Sequence, residues 1–275
     1  MTLGEQVSLL MRDVAASVVM PRFRALVPGQ IAEKSPGEVV TVADREAEAR
    51  LHDRLAALGL GARIVGEEAA EQDPMLLEGI GKGLVWLIDP LDGTANFAAG
   101  RAPFGMMIAL VDGGEPLESW ILDPQSGRLC HARRGAGASC DGKPVTARRS
   151  HRSPPRAALG SHFLPPERRA QLHDFAAPGL DITPVPRCAA ESYVRLVLGQ
   201  DDIALFQRIL PWDHAAGALF LTEAGGKITH WDGTPYRIGG RGRGVLAAAN
   251  AELWQTAAEL VLHPAAGLTD DKDDF

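Results

Sequence analysis

The chain carries only three cysteines in 275 residues, Cys130, Cys140 and Cys188, and none belongs to a C-x-x-C pair. That pattern offers neither a disulfide frame nor a zinc site, and it fits a reducing compartment. No apolar run approaches the roughly 20 residues of a membrane span. Met1-Thr2-Leu3-Gly4-Glu5 contains no positive stretch leading into an apolar one. The chain therefore reads as cytoplasmic, with no membrane partner. Basic residues are outnumbered, 28 Lys and Arg against 35 Asp and Glu, for a formal net charge of −7. A nucleic-acid polymer is disfavoured as main partner by that sign. A small phosphorylated ligand is not, because bound cations reverse the local field.

Hydrophobic residues make up 45% and charged residues 23%, the balance of an ordinary globular protein with one large domain or two modest ones. Two acid-rich segments stand out: Asp89-Pro90-Leu91-Asp92-Gly93-Thr94 and Trp212-Asp213-His214-Ala215-Ala216-Gly217. The first follows an apolar run; the second puts a carboxylate where a helix should begin. Gly66-Glu67-Glu68 also follows a short apolar run. Together they supply hard oxygen donors at the ends of regular elements, the ligand type that Mg²⁺ prefers.

Apolar periodicity from Val7 to Val18 predicts a helix ending near Pro21. Residues 33–38 read as a polar loop. Thr41-Val42-Ala43-Asp44 has the spacing of a capping box and opens a second helix through Leu58. Residues 63–65 predict a short strand, and Leu84-Val-Trp-Leu-Ile88 a strand buried on both faces. Runs at 106–111, 117–122 and 128–132, split by Asp/Gly turns, predict an antiparallel meander. Basic, proline-bearing residues 147–155 mark a domain junction. It divides an N-terminal α+β part, 1–147, from a C-terminal α/β part, 148–275, that carries Asp213. In the latter, 189–198, 213–224 and 251–262 read as helices, and 202–206 and 244–249 as strands. Asp270-Asp271-Lys272-Asp273-Asp274 reads as a frayed, solvated tail.

Each acid also has an ordinary reading. Asp-Gly is a common turn pair, an acid such as Asp213 commonly caps a helix, and Glu67 and Glu68 suit solvated surface. Taken together, and in this order, the segments resemble the inositol monophosphatase family of Mg²⁺-dependent, lithium-sensitive phosphatases, which extends to the fructose-1,6-bisphosphatases. The resemblance rests on Gly66-Glu67-Glu68, Ile88-Asp89-Pro90-Leu91-Asp92-Gly93-Thr94-Ala95-Asn96-Phe97 and Pro211-Trp212-Asp213-His214-Ala215-Ala216-Gly217. Lys34 to Asp44, Asp141-Gly142-Lys143-Pro144-Val145 and Ala224-Gly225-Gly226 add to it. It spans most of residues 30 to 250 and is weakest from Ser150 to Pro186.

The resemblance implies an α/β (α+β) layered αβαβα sandwich and a homodimer. It implies two or three Mg²⁺ ions, or Mn²⁺, held by Glu67, Asp89, the Leu91 carbonyl, Asp92 and Asp213, with Glu68 near a third. Thr94, helped by Glu67 or Asp44, would orient the attacking water. Gly93 and Thr94 would bind the phosphate, with Lys34 adding positive charge, although Lys34 equally suits a solvated loop. Cys188, Ala189, Phe206 and Asp213 would face the rest of the substrate, a small phosphorylated metabolite resembling an inositol phosphate. Two departures bear on that substrate. Many relatives place a glutamate seven residues before the second-motif aspartate, where this chain has Phe206, and a phenyl ring cannot accept a sugar hydroxyl's hydrogen bond. Cys188-Ala189-Ala190-Glu191 also differs from the usual glycine-led helix start. The alternatives are a histidinol-phosphate phosphatase, a 3′(2′),5′-bisphosphate nucleotidase, or a non-catalytic phosphometabolite binder. Phe206 is equally compatible with a plain core position.

Overall fold

The computed structural model describes residues 1–35 and 38–268; the expected acidic tail lies outside them. Helix α1 (Leu3–Val14) runs on through a wider turn at Ala15–Val19 and stops at a short turn containing Pro21. The supposed polar loop is instead a hairpin of β1 (Ile31–Ser35) and β2 (Glu38–Thr41). Polar side chains hid it, because a two-stranded ribbon needs only one face against protein. Thr41 then caps α2 (Val42–Ala56) through the predicted capping box with Asp44.

A seven-stranded sheet follows. It contains β3 (Arg63–Gly66), which leads into the short α3 (Glu67–Gln72), and β4 (Leu84–Asp92), which leads into the short α4 (Thr94–Ala98). The meander continues through β5 (Gly105–Asp112), β6 (Glu115–Leu122), β7 (Leu129–Arg133), β8 (Gly137–Cys140) and β9 (Lys143–Val145). Strand order is β3-β4-β5-β6-β7-β8-β9; only β3 and β4 run parallel. Antiparallel register also sets Cys130 opposite Cys140, so two thiols that look isolated in sequence lie 2.7 Å apart, both free.

Beyond residue 150 come β10 (Arg156–Gly160), α5 (Pro166–Ala176), β11 (Asp181–Thr183), α6 (Ala189–Leu198) and β12 (Ile203–Phe206). The chain closes with α7 (Pro211–Glu223), β13 (Lys227–His230), β14 (Val245–Ala248) and α8 (Ala251–Val261), capped by Asn250 as predicted. The five strands order as β11-β10-β12-β14-β13.

Alternation along β4 and β5 explains why their sequences are apolar without a break. Trp86, Ile88, Met106 and Ile108 pack with Val7, Met11, Leu51 and Leu55 of α1 and α2. Val85, Leu87, Met107 and Ala109 face the other way, onto Tyr193, Leu196, Leu219 and Phe220 of α6 and α7. Those two helices also touch the second sheet through Ala204 and Ala247. The far face of that sheet, Leu159, Leu205 and Leu246, packs on Leu172 of α5 and Leu253 and Trp254 of α8. The layers are therefore α1/α2, sheet, α6/α7, sheet, α5/α8, the five-layer αβαβα sandwich. Among the described residues no helix is long and apolar enough to cross a membrane.

The central layer depends on one glycine. A Cβ at Gly217 of α7 would collide with the Tyr193 ring of α6, which is fully buried. Gly217→Ala should therefore cost about 2–3 kcal/mol by overpacking, read by urea denaturation as a lower midpoint with an unchanged slope.

Candidate active site

Four element junctions converge on one cavity of about 630 Å³. At the first, β3 gives way to α3. Gly66 is required there because a Cβ would run into the Glu48 carboxylate. That carboxylate accepts from the Glu68 and Ala69 N–H groups, both at 2.8 Å, and so caps a helix whose own cap residue has no side chain. Glu67 is thereby fixed at the cavity wall.

The second junction is the end of β4, which runs four residues past its expected stop at Ile88 with a bulge between Asp89 and Asp92. Asp89 is 1% exposed and accepts the Leu91 N–H at 3.0 Å. Gly93 turns the chain with φ 81°, and a Cβ there would press on the Pro103 carbonyl at 3.0 Å and on Cys188. Thr94 then opens α4. Its hydroxyl lies 2.8 Å from Asp44 Oδ1 and 2.8 Å from the Leu91 carbonyl. Asp44 stands behind it, 1% exposed, with its other oxygen accepting from the Thr41 hydroxyl at 2.6 Å.

The third junction is the start of α6. Asp92 Oδ2 accepts from the Ala190 N–H at 2.6 Å and lies 3.0 Å from the Cys188 thiol. Asp92 thus supplies, from 98 residues away, the cap that Cys188 does not provide. At the fourth, Asp213 sits in the first turn of α7, whose cap position is Leu210 rather than Asp213. The helix therefore begins at Pro211, two residues earlier than the sequence pattern suggested.

Charge is the dominant feature. Burial first, then Asp213, push the Glu67 carboxyl well above the usual range, with Lys34 opposing. Asp89 is raised by burial, then by Glu67, Asp92 and Asp213. Burial also raises Asp92, although the Cys188 thiol and the Ala190 N–H pull it down. Asp213 is pushed up to about 7 by burial and by Asp92, against the pull of Arg208 and Lys34. Acids that raise one another in this way form a pool of negative charge short of cations. Lys34 is the nearest counter-charge. Burial works against its ammonium, but Glu67, Glu68 and Glu71, at 3.4, 2.6 and 2.5 Å, outweigh it and hold its pKa above the normal value.

Glu67, Asp89, Leu91, Asp92, Gly93, Thr94, Lys34, Cys188, Ala189, Phe206 and Asp213 all line the cavity. Glu68 and Asp44 do not. Glu68 is 4% exposed, pairs with Lys34, and is pushed up to about 7 by burial. Phe206 lies nearly parallel to Tyr193, ring centroids 5.3 Å apart, and edge-on to His214. Gln207, which strand alternation would turn away, also lines the cavity, because β12 ends at Phe206 and the alternation ends with it. Sequence reasoning missed His162, Phe163, Arg187 and Arg208 on the same wall. The first two fall in the segment of weakest resemblance; Arg187 stands directly before Cys188, the only hint available.

Among the described residues, no three His, Cys, Asp or Glu side chains are grouped so as to hold a metal ion as they now stand. Asp92 is engaged with α6, and Glu67 leans toward Lys34. The donor set still suits a hard divalent cation. It consists of carboxylates and one backbone carbonyl around a shared cavity, with mutual repulsion that a cation would relieve.

Known proteins resemble this chain in sequence and in fold. The profile of the Inositol monophosphatase family matches residues 6–265. An inositol-1-monophosphatase of Bacillus subtilis is 31% identical, covering 84% of this chain and 86% of the relative. The Nus factor SuhB of Xylella fastidiosa is 30% identical over 80% of this chain and 78% of its own length. Among solved structures, the suhB extragenic suppressor protein of Bartonella henselae superposes with a TM-score of 0.79 at 24% identity, covering 94% of this chain and 98% of that one. The Thermotoga maritima IMPase gives 0.76 at 23%, over 92% and 96%. With a profile match along nearly the whole chain and these relatives beside it, the chain belongs to the inositol monophosphatase family.

Proposed function

We propose that the cavity holds two or three Mg²⁺ ions and that the chain uses them to release phosphate from a small phosphomonoester metabolite. Family membership makes it a phosphoric monoester hydrolase. The observation that carries the finer reading is the convergence of Glu67, Asp89, Leu91, Asp92 and Asp213 on one cavity, with the Thr94–Asp44 pair at its edge. Mg²⁺ or Mn²⁺ bound there would neutralise the phosphate dianion and acidify water. Glu67, Asp89, the Leu91 carbonyl, Asp92 and Asp213 would be the ligands. Glu68, held by Lys34, would serve a third ion only if that pair opened.

Asp44 is kept above the usual carboxylate range by burial, even though Thr41 and Thr94 donate to it. It is therefore basic enough to draw the Thr94 hydroxyl proton, which leaves the Thr94 oxygen free to accept from an attacking water and to aim it. The first N–H groups of α4, at Thr94 and Ala95, lack intrahelical acceptors and line the cavity, so phosphate oxygens can take them. Phe206 favours a leaving group other than inositol, since its place on the wall offers no acceptor for ring hydroxyls. A homodimer in the cytoplasm is part of the same reading, the dimer following from family resemblance and the compartment from the isolated cysteines and the absence of a long apolar run.

Phosphate release from a metabolite panel should require Mg²⁺ or Mn²⁺. Thr94→Ala should lower kcat by about 10²–10⁴-fold, the range for a positioned proton-transfer group. Asp92→Asn should abolish turnover while the fold survives, because asparagine can still cap α6. Turnover of both variants at the wild-type rate would contradict the proposal.

The pH dependence follows from the raised carboxylates. Asp213, pushed up to about 7, is protonated in acid and ionised in base. Activity should fall as pH drops below about 7, and more Mg²⁺ should restore it by competing with protons. Stability has the opposite sign. A carboxylate raised in the folded state costs nothing below its unfolded value near 4, and costs most above about 7. Without divalent cations, Asp213→Asn should therefore stabilise the protein at pH 8 by about 2 kcal/mol, after allowance for solvent screening. At pH 4 it should make little difference. Thermal denaturation at the two pH values reads this directly.

A further inference from the structure

Part of the cavity lining is basic and aromatic. His162, Phe163, Arg187 and Arg208 line the cavity there, with Gln207 beside them. Among the described residues Arg187 makes no ion pair or hydrogen bond, and it is exposed on the cavity rim. Its backbone has φ 55°, in the left-handed region that glycine enters freely and arginine rarely adopts. Of the four non-glycine residues with positive φ among those described, Arg24, Asp141, His151 and Arg187, only Arg187 lines this cavity. Strain of this kind persists where neighbours enforce it. Here the neighbour is Asn96 of the phosphate-side helix, whose amide donates to the Pro186 carbonyl at 3.1 Å, one residue earlier.

Arg208 is held as firmly. Its carbonyl accepts from His214 Nε2 at 2.9 Å, and the other ring nitrogen of that histidine takes the Tyr193 hydroxyl at 2.8 Å. Its guanidinium stands 5.3 Å from the Phe163 ring centre and pairs with Glu38. On the same wall Phe206 offers no negative charge to oppose an anion. Trp212, 5% exposed, lines the cavity with an indole N–H that has no acceptor among the described residues.

A neutral polyol needs none of this positive charge, and a cationic leaving group would be repelled by it. We propose that the organic half of the substrate carries a second anionic group, a phosphate or a carboxylate, seated between Arg187 and Arg208. The inference rests on the phosphatase reading and deepens it. The chain would be a hydrolase for bis-anionic metabolites, with one phosphate at the acid-lined end and the second anion at the basic rim. Arg187 would be the specificity-determining residue, because no carboxylate among the described residues neutralises it, whereas Arg208 is shared with Glu38.

The test compares three substrates under Mg²⁺: adenosine 3′,5′-bisphosphate, 3-phosphoglycerate and glycerol 2-phosphate. They carry, respectively, a second phosphate, a carboxylate and no second anion. The wild-type enzyme should favour the first or second over the third by at least tenfold in kcat/KM. Arg187→Gly, which also removes the backbone strain, should cut that preference at least tenfold, mainly through KM, and Arg187→Lys should restore part of it. Equal preference in wild type and Arg187→Gly, or a wild-type preference for glycerol 2-phosphate, overturns the proposal. Calorimetric binding of the same three compounds with Ca²⁺ in place of Mg²⁺ separates the two readings. If none of the three is turned over, binding alone tests the rim site, and the wider metabolite panel tests the phosphatase reading. A binding preference for the bis-anionic compounds that Arg187→Gly abolishes would still support the rim site, and no such preference would overturn it.

Discussion

Repulsion among Glu67, Asp89, Asp92 and Asp213 is the constraint around which the rest of the molecule is arranged. Each is raised by burial, and Glu67, Asp89 and Asp213 are raised further by one another or by Asp92. A fold gains nothing from such a cluster; concentrated like charge lowers stability whenever the acids are ionised. What offsets it locally is modest: the Lys34 ammonium, the distant Arg208 charge, and the starts of α6 and α7, whose dipoles favour negative charge. On the proposed reading, the remaining imbalance would make the cavity a receptor for cations and, through them, for a phosphate ester.

Holding four mutually repelling groups in place requires a stiff frame, and the five-layer sandwich provides one. The acids come from the ends of β3 and β4 and from the start of α7, elements whose bodies lie in one continuous core. That core crosses the expected boundary at residues 147 and 148, because α6 and α7 from the later half cover the first sheet. The site is thus pinned between the two sheets. Asp92 reinforces the joint by capping α6 from the end of β4. One carboxylate therefore serves both the packing of the layers and the electrostatics of the cavity.

The acidic residues of the cavity were legible because they occur as short contiguous motifs at the ends of apolar runs, where the strand period and the turn residues mark them. The capping box at Thr41 and Asp44 and the buried strand at Leu84 were equally readable, since local chemistry alone dictates them. The basic wall was not. His162, Phe163, Arg187 and Arg208 share no local pattern and meet only through the parallel pairing of β10 with β12 and the turn before α6. Gln207 was misplaced because alternation was extended one residue past the strand. The Cys130–Cys140 pair was invisible for a related reason: which residues face each other depends on strand register, which no spacing rule gave. Lys34 was noticed as a cation near the phosphate, but its ties to Glu67, Glu68 and Glu71 depend on the β1–β2 hairpin meeting α3.

The central claim is that the clustered carboxylates form a cage for divalent cations. Calorimetric titration of the protein with Mg²⁺ and Mn²⁺ at pH 7, repeated in two buffers of different ionisation enthalpy, measures binding and proton release together. The account predicts saturable binding with protons released on uptake, because acids held above their normal range must ionise to become ligands. Absence of saturable heat, or binding with no proton released in either buffer, would contradict it.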